Sequence, residues 1–453
     1  MRALYDDQGR AGTFFRDTTL DLLAYAARRI PEITANPANV DRAIRWGFGW
    51  QMGPFETWDA LGFARTLSEI DRRGIALPDW VRHMDESGLD GFYRPRTRRR
   101  EIIVPASGEF RRLTVPHDEI NLAAVRSAPG AELWSNEEAG LLDMGDGVAL
   151  LEFRSKANTL GQNVIAALYE TIGRVERDGT LRGLVIGNDG AHFSVGANLM
   201  EMAHAVQAGQ FDTIDRYIAH FQRAMQRVRY ATKPIVTAVH QRALGGGCEL
   251  VMASPFPVAA AESYMGLVEL GVGLIPAGTG TMRLAALASA RSLGYDNDLQ
   301  TVVTVYFEHI AKSNVSTSAR HAQEMGLLPP HTPVVMNGNR RFYVARQEVI
   351  RLSEQGYMPP VKGPIRVLGR GGKAALMMGV YQLHQGRFIS DYDRFLAGRL
   401  AHVFTGGSLS SPQEVTEDYL LDLERETFLS LLGQKKTQER IEGLLKTKKP
   451  IRN

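Results

Sequence analysis

Apolar residues in the first ninety positions recur at intervals of three and four, the spacing typical of amphipathic helices. We predict a small helical domain over residues 1–90, with an aromatic-rich segment around residues 46–55 packed inside it. The apolar positions of one predicted helix are Leu20, Leu22, Leu23, Ala26 and Ile30; those of a second, which starts after a cap at Asn36, are Val40, Ala43, Ile44 and Phe48.

Residues 91–142 show neither the helical spacing of apolar residues nor the alternation typical of strands over a long stretch. We predict that they form a connector. Short apolar runs at residues 102–105 and 112–116 are separated by Ser107-Gly108, which is typical of a small hairpin. Arginines are frequent between Arg94 and Arg100. Because no aromatics are interleaved with them, a solvated loop is favoured over a nucleic-acid site.

Strand-like and helix-like segments alternate over residues 143–290. This order predicts a sheet covered by helices, with ligands bound at the carboxyl ends of the strands. Residues 291–453 are predicted to be mainly helical. The predicted strands are 148–153, 183–187 and 234–239; the predicted helices are 164–175, 217–228, 319–328 and 418–446.

A run of three glycines, Gly245-Gly246-Gly247, follows the last of these strands. Such a run weakens any regular element, so we expect the backbone to approach a ligand closely there. An apolar helix begins next, and its first peptide N–H groups have no partner within the helix. Glu249 lies in that first turn, and Glu269 ends an apolar stretch twenty residues later. Two carboxylates beside free backbone donors predict an acid/base site with an oxyanion hole.

Composition narrows the class of protein further. The 453 residues include 53 basic and 50 acidic side chains, so net charge favours neither a nucleic-acid nor a membrane partner. A single cysteine excludes an intramolecular disulfide. Without an apolar window of about 18 residues or an apolar leader, we expect no membrane span and a cytoplasmic protein.

Metal and thiol chemistry are not indicated by the sequence. The four histidines near the predicted site lack metal-ligand spacing, so we predict no metal there; they are His192, His204, His220 and His240. Cys248 stands at a helix start, where a thiolate is favoured, but no base can be placed beside it. We therefore interpret Cys248 as a small packing residue.

Five ordered motifs together resemble the crotonase superfamily, and most closely the enoyl-CoA hydratases. They occupy residues 156–160, 193–199, 243–250, 266–269 and 274–281. The resemblance implies a crotonase-like α/β fold, a spiral of ββα repeats, over residues 143–290. It also implies an acyl-CoA thioester substrate and a homo-oligomer or a complex with other β-oxidation enzymes. Asn198 stands where the family commonly has aspartate.

The resemblance assigns roles to individual residues. Glu249 would orient and deprotonate a water molecule, and Glu269 would supply a proton to Cα. The peptide N–H groups of Ala197 and Gly246 would form the oxyanion hole. The substrate and its CoA moiety would contact Lys156, Ala157, Val195, Gly196 and Gly245.

The N-terminal helical domain resembles the C-terminal domain of 3-hydroxyacyl-CoA dehydrogenases, through residues 40–43 and 53–59. In that family a nucleotide-binding domain lies upstream. Here only residues 369–374 approach a dinucleotide fingerprint, with Ala374 in place of the third glycine, and we interpret them as a helix start. We expect no cofactor, no NAD site and no dehydrogenase activity in this chain alone. We also expect it to be the downstream part of a fused enzyme or a shortened gene product.

Three functional hypotheses follow. The first is an enoyl-CoA hydratase of fatty-acid β-oxidation, which two carboxylates favour. The second is an enoyl-CoA isomerase, which typically needs only one carboxylate. The third is an inactive remnant or an assembly subunit that docks to a separate 3-hydroxyacyl-CoA dehydrogenase.

Overall fold

Two units make up the chain, Met1–His117 and Asp118–Asn453. Each is built around its own hydrophobic residues. No helix in the described parts of the chain is long and apolar enough to cross a membrane. The structure is a computed structural model that describes residues 1–96, 99–113, 116–292, 295–447 and 449–453.

The first unit contains six helices and a three-stranded antiparallel sheet within its described residues. Both helices predicted from the apolar spacing are present, and the second is capped by the side chain of Asn36. The helices are α1 (Arg2–Asp6), α2 (Arg10–Arg28), α3 (Pro37–Phe48), α4 (Pro54–Leu61), α5 (Phe63–Arg72) and α6 (Asp79–Glu86); the strands are β1 (Tyr93–Arg96), β2 (Arg99–Val104) and β3 (Glu109–Arg112).

Aromatic rings form the centre of this unit, but they are not all the predicted ones. The ring of Phe92 lies 5.0 Å from that of Phe55 and 5.2 Å from that of Trp58, both in edge-on contact. By contrast, Trp46, Phe48 and Trp50 are exposed, so the expected packing of this part of the segment was wrong. The reason is that the buried residues of α3 lie in its first half, between Pro37 and Asp41, whereas these aromatic residues lie at or beyond its C-terminal end.

A buried carboxylate joins two helices of the unit. Asp41, on α3, accepts the peptide N–H groups of Phe55 (2.8 Å) and Glu56 (3.1 Å) at the start of α4. Its Oδ2 also accepts the hydroxyl of Tyr93 at 2.6 Å. Asp41 thus satisfies N–H groups that a helix N-terminus leaves without internal acceptors.

The expected hairpin is one edge of a larger sheet. Strand β2 pairs with β3 from Glu101 opposite Arg112 to Val104 opposite Glu109, and it also pairs with β1. Residues 114 and 115 of the predicted second run lie outside the described residues.

The second unit holds a seven-stranded mixed sheet in the order β10-β9-β8-β7-β6-β5-β4. Its strands are β4 (Glu132–Ser135), β5 (Ala139–Asp143), β6 (Val148–Phe153), β7 (Gly183–Gly187), β8 (Ile235–Leu244), β9 (Val258–Gly266) and β10 (Val334–Val335), with a separate pair β11 (Ile365–Val367) and β12 (Gln413–Val415). Its helices are α7 (Leu122–Arg126), α8 (Gln162–Arg177), α9 (Leu199–Gln207), α10 (Phe211–Arg229), α11 (Gly246–Ala253), α12 (Gly280–Arg291), α13 (Asp296–Ala311), α14 (Ala319–Glu324), α15 (Arg341–Glu354), α16 (Gly369–Gln385), α17 (Asp391–Phe404), α18 (Glu417–Leu432) and α19 (Lys435–Thr447).

The sheet changes from antiparallel to parallel pairing at β6. Strands β4, β5 and β6 pair in antiparallel fashion, whereas β6 to β10 run parallel. Helices α8 and α10 share a hydrophobic cluster with one face, and α15 with the other. Because β4 and β5 belong to this sheet, the stretch 91–142 is not the single connector we expected. Residues 91–117 lie in the first unit and 118–142 in the second.

Strand β8 positions the glycine turn. Its first part pairs with β7, and its register with β9 shifts between Val239 and Gln241. Gln241 has a positive φ of 48°, so the strand bends there. Beyond the bend, Ala243 pairs in parallel with Ser194. The bend therefore brings the end of β8 beside residues 194–197.

We predict that Asp41→Ala lowers the free energy of unfolding of the first unit by roughly 3 kcal/mol, because two buried peptide N–H groups and a hydroxyl lose their acceptor. Four of the five tryptophans lie in this unit, so denaturant unfolding followed by tryptophan fluorescence reports on it. The control is Asp85→Ala, which removes an exposed carboxylate from α6. Equal midpoints for the two variants would contradict the capping role of Asp41.

Candidate active site

The glycine turn joins strand β8 to helix α11. Gly245 has φ 53° and ψ −127°, a conformation that side-chain-bearing residues avoid. Its N–H donates to the carbonyl of Gly266 at 2.9 Å, and the N–H of Leu244 donates to the carbonyl of Ser194 at 3.0 Å. The turn is thus fixed from two sides.

The two predicted oxyanion-hole residues lie next to each other. A Cβ atom placed on Gly246 would lie 3.5 Å from the peptide nitrogen of Ala197. Gly246 is the first residue of α11, so its N–H has no acceptor within the helix. Ala197 is held by a parallel bridge to Leu160, whose N–H donates to the carbonyl of Gly196 at 2.9 Å. The geometry therefore allows both N–H groups to serve one oxygen.

Glu249 is buried, with 2% of its side chain exposed, in the first turn of α11. Its Oε1 accepts the N–H groups of Gly278 at 2.8 Å and Gly280 at 2.7 Å. A Cβ atom on Gly278 would lie 2.5 Å from Oε2 of Glu249 and 2.0 Å from the ring of Phe221. Glycine is therefore required for this close approach of backbone and carboxylate.

Glu269 also lies close to the glycine turn. It begins a short 3-10 helix, Glu269–Val272. Its Oε1 lies 3.1 Å from the position that a Cβ atom on Gly245 would take. Its Oε2 is buried and has no hydrogen-bond partner among the described residues. A buried carboxyl oxygen without a donor is costly unless the group is neutral or meets a ligand.

The two carboxyl groups differ in their environments. Burial raises the pKa of Glu249 to about 7, while the peptide N–H groups of Gly280 and Gly278 act in the opposite direction. Burial, and then the charge of Glu249, raises the pKa of Glu269 well above its ordinary value. Glu249, which accepts two peptide N–H groups, is therefore the carboxyl group that ionises more readily, and burial favours the neutral form of Glu269.

The residues expected to contact CoA lie in the loop after β6, in the 194–197 loop and in the glycine turn. Lys156 and Ala157 are exposed just after β6, and Ala157 has φ 55° and ψ 21°. Asn158 supports the loop, because its buried amide donates to Asn188 and to the carbonyl of His192, both at 2.8 Å. The other expected contacts, Val195, Gly196 and Gly245, lie in the 194–197 loop or in the glycine turn itself.

Other residues near the site, which the sequence analysis considered, make contacts within the protein. Burial raises the pKa of the Cys248 thiol, whose sulfur packs against that of Met252 at 3.9 Å. His240 is buried, and its Nε2 lies 2.8 Å from the carbonyl oxygen of Gly190. Asn198 caps helix α9 through the N–H groups of Met200 and Glu201. Among the described residues, no three His, Cys, Asp or Glu side chains are grouped so as to hold a metal.

One buried carboxylate near the site was missed by the sequence analysis. Glu424, on α18, is fully buried and accepts the N–H groups of Thr279 at 3.2 Å and Met282 at 2.6 Å. A signal was present in the sequence, because Glu424 lies on the apolar face of its helix, between Leu420 and Phe428.

Two separate segments of the chain match known protein families. Residues 143–293 match the family model described as "Enoyl-CoA hydratase/isomerase". Residues 15–96 match "3-hydroxyacyl-CoA dehydrogenase, C-terminal domain".

Longer relatives match both parts together. The chain is 38% identical over its full length to 56% of a "Probable 3-hydroxyacyl-CoA dehydrogenase" of Bacillus subtilis (strain 168). It is 24% identical, over 96% of its length and 53% of the relative, to a "Putative fatty acid oxidation complex trifunctional enzyme" of Rickettsia prowazekii (strain Madrid E). The chain thus spans about half the length of these curated relatives.

Among solved structures, an enoyl-CoA hydratase from Bacillus halodurans matches 68% of this chain and 100% of its own length, with 14% identity and a TM-score of 0.46. On the family matches, residues 143–293 belong to the enoyl-CoA hydratase/isomerase family of crotonase-like proteins and residues 15–96 to the C-terminal domain of 3-hydroxyacyl-CoA dehydrogenases, in a fused dehydrogenase/hydratase architecture.

Proposed function

We propose that this chain hydrates 2-enoyl-CoA thioesters, adding water across the double bond to give 3-hydroxyacyl-CoA. The observation that carries the proposal is the pair of buried carboxyl groups, Glu249 and Glu269, that lie beside one glycine turn. Their environments favour one ionised and one neutral group, which a water addition needs.

The thioester carbonyl would lie at the turn between β8 and α11. As water adds to Cβ, negative charge develops on the carbonyl oxygen. The N–H groups of Ala197 and Gly246 would donate to this oxygen without rearrangement, and each such donor typically lowers the barrier by about 3 kcal/mol.

The two carboxyl groups would then divide the proton transfers. Glu249, which accepts the N–H groups of Gly278 and Gly280, acts in its ionised form and takes a proton from the water while the hydroxyl oxygen bonds to Cβ. Glu269, still protonated, gives its proton to Cα. One water is consumed, and the proton that Glu249 gains balances the one that Glu269 loses. Proton exchange with solvent restores the starting state.

Two features favour hydration over double-bond isomerisation and over an inactive subunit. An isomerase needs one carboxylate, whereas here two buried carboxyl groups meet the same turn. The unpartnered oxygen of Glu269 has no structural use among the described residues, which favours a group kept for a ligand or a proton transfer.

The names of the longer relatives extend the proposal. One is a probable 3-hydroxyacyl-CoA dehydrogenase, and the product of hydration is a 3-hydroxyacyl-CoA. Another is named for a fatty acid oxidation complex. We place the reaction in fatty-acid oxidation, with coenzyme A as part of the substrate and with no cofactor needed for the hydration step.

We predict that Glu249→Gln and Glu269→Gln each lower kcat for hydration of crotonyl-CoA by about 10²–10⁴-fold, because each removes one proton-transfer group. Loss of the double-bond absorbance of the thioester measures the rate. The control is Glu262→Gln, which changes an exposed carboxylate on β9.

The same variants separate the alternatives. An isomerase would retain most of its double-bond shift on 3-enoyl-CoA in Glu249→Gln. An inactive assembly subunit would give no hydration in the parent and no heat of binding with an acyl-CoA in calorimetry. Either result would overturn the hydratase proposal.

The proposal also predicts the pH dependence. Glu249 acts in its ionised form and its pKa is raised to about 7, so kcat/KM should fall about tenfold per pH unit as the pH drops below this value. Glu269 acts in its protonated form, so kcat/KM should fall again at alkaline pH, where that group ionises. Initial rates with crotonyl-CoA between pH 5 and pH 10 test both limbs. A flat profile between pH 5 and 8 would count against Glu249 as the base.

A further inference from the structure

The turn that holds Glu249 also holds a second buried carboxylate. This turn, residues 278–282, includes the first three residues of helix α12. The N–H groups of Gly278 and Gly280 donate to Glu249, whereas those of Thr279 and Met282 donate to Glu424. One short segment of backbone therefore divides its donors between the proposed catalytic base and a carboxylate from the C-terminal region.

Glu424 reaches this turn from a distant part of the chain. Its bond to Thr279 joins residues 145 positions apart. Its side chain is fully buried in α18, which packs against α10, α12, α17 and α19. Burial and the charge of Glu249 raise the pKa of Glu424 well above its ordinary value. Burying Glu424 near the carboxyl group of Glu249 costs free energy, and hydrogen bonds to its oxygens are needed to offset that cost.

Helix α19, which follows α18, makes hydrogen bonds to the segment that carries Glu269. Arg440, buried on α19, donates from Nη1 to the carbonyl of Leu270 at 3.1 Å and from Nη2 to Asp393 at 2.8 Å. The hydroxyl of Thr437 donates to the carbonyl of Gly273 at 2.6 Å. The C-terminal helices thus bind the backbone beside both carboxyl groups of the site.

We propose that Glu424 is a positioning residue for the hydration step: it fixes the 278–282 turn so that Gly278 and Gly280 hold Glu249 in place as an ionised base. This inference rests on the proposed function. It makes the C-terminal helical region part of the active-site support.

Rotation of the turn would move both donors of Glu249 together, because they alternate along the backbone with the donors of Glu424. Misplacing a catalytic group by about 1 Å can cost on the order of 100-fold in rate. Substrate binding would change little, since the oxyanion-hole residues Ala197 and Gly246 lie on other segments.

The test uses the full chain and two matched positions on α18. Glu424→Ala removes the acceptor, and Glu424→Gln keeps one oxygen acceptor in the same shape. Glu417 provides the control, because it is also buried on α18 but binds the side chains of Arg283 and Tyr230. Glu417→Ala and Glu417→Gln therefore remove a buried acid without touching the backbone of the turn.

Two measurements distinguish positioning from simple loss of folded protein. Calorimetry with butyryl-CoA, a saturated thioester that cannot be hydrated, counts the binding sites in each preparation. We expect Glu424→Ala to lower kcat for crotonyl-CoA, per butyryl-CoA-binding site, by about 10- to 100-fold with little change in KM. Glu424→Gln should recover most of that loss, and both Glu417 variants should keep the parent kcat per site.

Amide hydrogen exchange read by mass spectrometry gives the second measurement, which does not depend on activity. Exchange in residues 277–282 should become faster in Glu424→Ala and stay at the parent rate in Glu417→Ala. If Glu424→Ala does not fold, Glu424→Gln decides the matter, because its amide oxygen can readily replace only one of the two carboxylate acceptors. It should then raise exchange in these residues above the level in Glu417→Gln.

The inference is overturned if Glu424→Ala keeps the parent kcat per site and the parent exchange rates. It is also overturned if the Glu417 variants lose as much, or if Glu424→Gln is no better than a folded Glu424→Ala. Absence of hydration in the parent would instead overturn the proposed function, and the exchange measurement would still decide whether Glu424 fixes the turn.

Discussion

The hydrogen bonds from Gly278 and Gly280 to Glu249 are the interaction on which the active-site region depends. A buried carboxylate must be compensated, and here the compensation comes from the peptide N–H groups of Gly278, just before helix α12, and Gly280, its first residue. That requirement explains two glycines in the sequence, since a Cβ atom at Gly278 or Gly280 would lie within 3 Å of a Glu249 oxygen. It also explains why the turn has to be held by further contacts.

The fold supplies the rest of the site by bending one strand. Strand β8 is long enough to pair with β7 at its start and to reach Ser194 near its end, with the bend at Gln241 between the two. The bend places the N-terminus of α11 beside Ala197, so two peptide N–H groups from separate loops come together. On the proposed function, side chains would therefore contribute proton transfer, while backbone groups would stabilise charge.

Local patterns were sufficient to predict much of this arrangement. The apolar runs predicted strands β6 and β7 at their observed bounds, and the glycine run predicted a backbone turn at the start of a helix. These features are encoded within a few neighbouring residues, through side-chain size and backbone freedom. The resemblance to a known family then indicated which backbone groups and carboxylates belong together.

Features that depend on distant partners could not be predicted in this way. Strands β4 and β5 are short, and their place in the main sheet depends on pairing with β6. The aromatic residues at 46, 48 and 50 have a composition typical of a core, yet α3 buries other residues instead. Glu424 is an acid on an apolar helix face, but its acceptor role becomes clear only when α18 is packed on α12.

The buried carboxyl groups differ in how their oxygens are used. Asp41 and Glu424 use both oxygens to accept hydrogen bonds, and both bind N–H groups near the start of a helix. In Glu249 the two N–H groups converge on Oε1, and in Glu269 the buried Oε2 has no partner among the described residues. Burial is the main cause that raises the pKa of a carboxyl group in both units, to about 6 for Asp41 and about 7 for Glu249. A raised pKa therefore does not identify catalysis by itself. What sets Glu269 apart from Asp41 and Glu424 is a buried oxygen without a partner among the described residues, in a carboxyl group that lies beside the glycine turn.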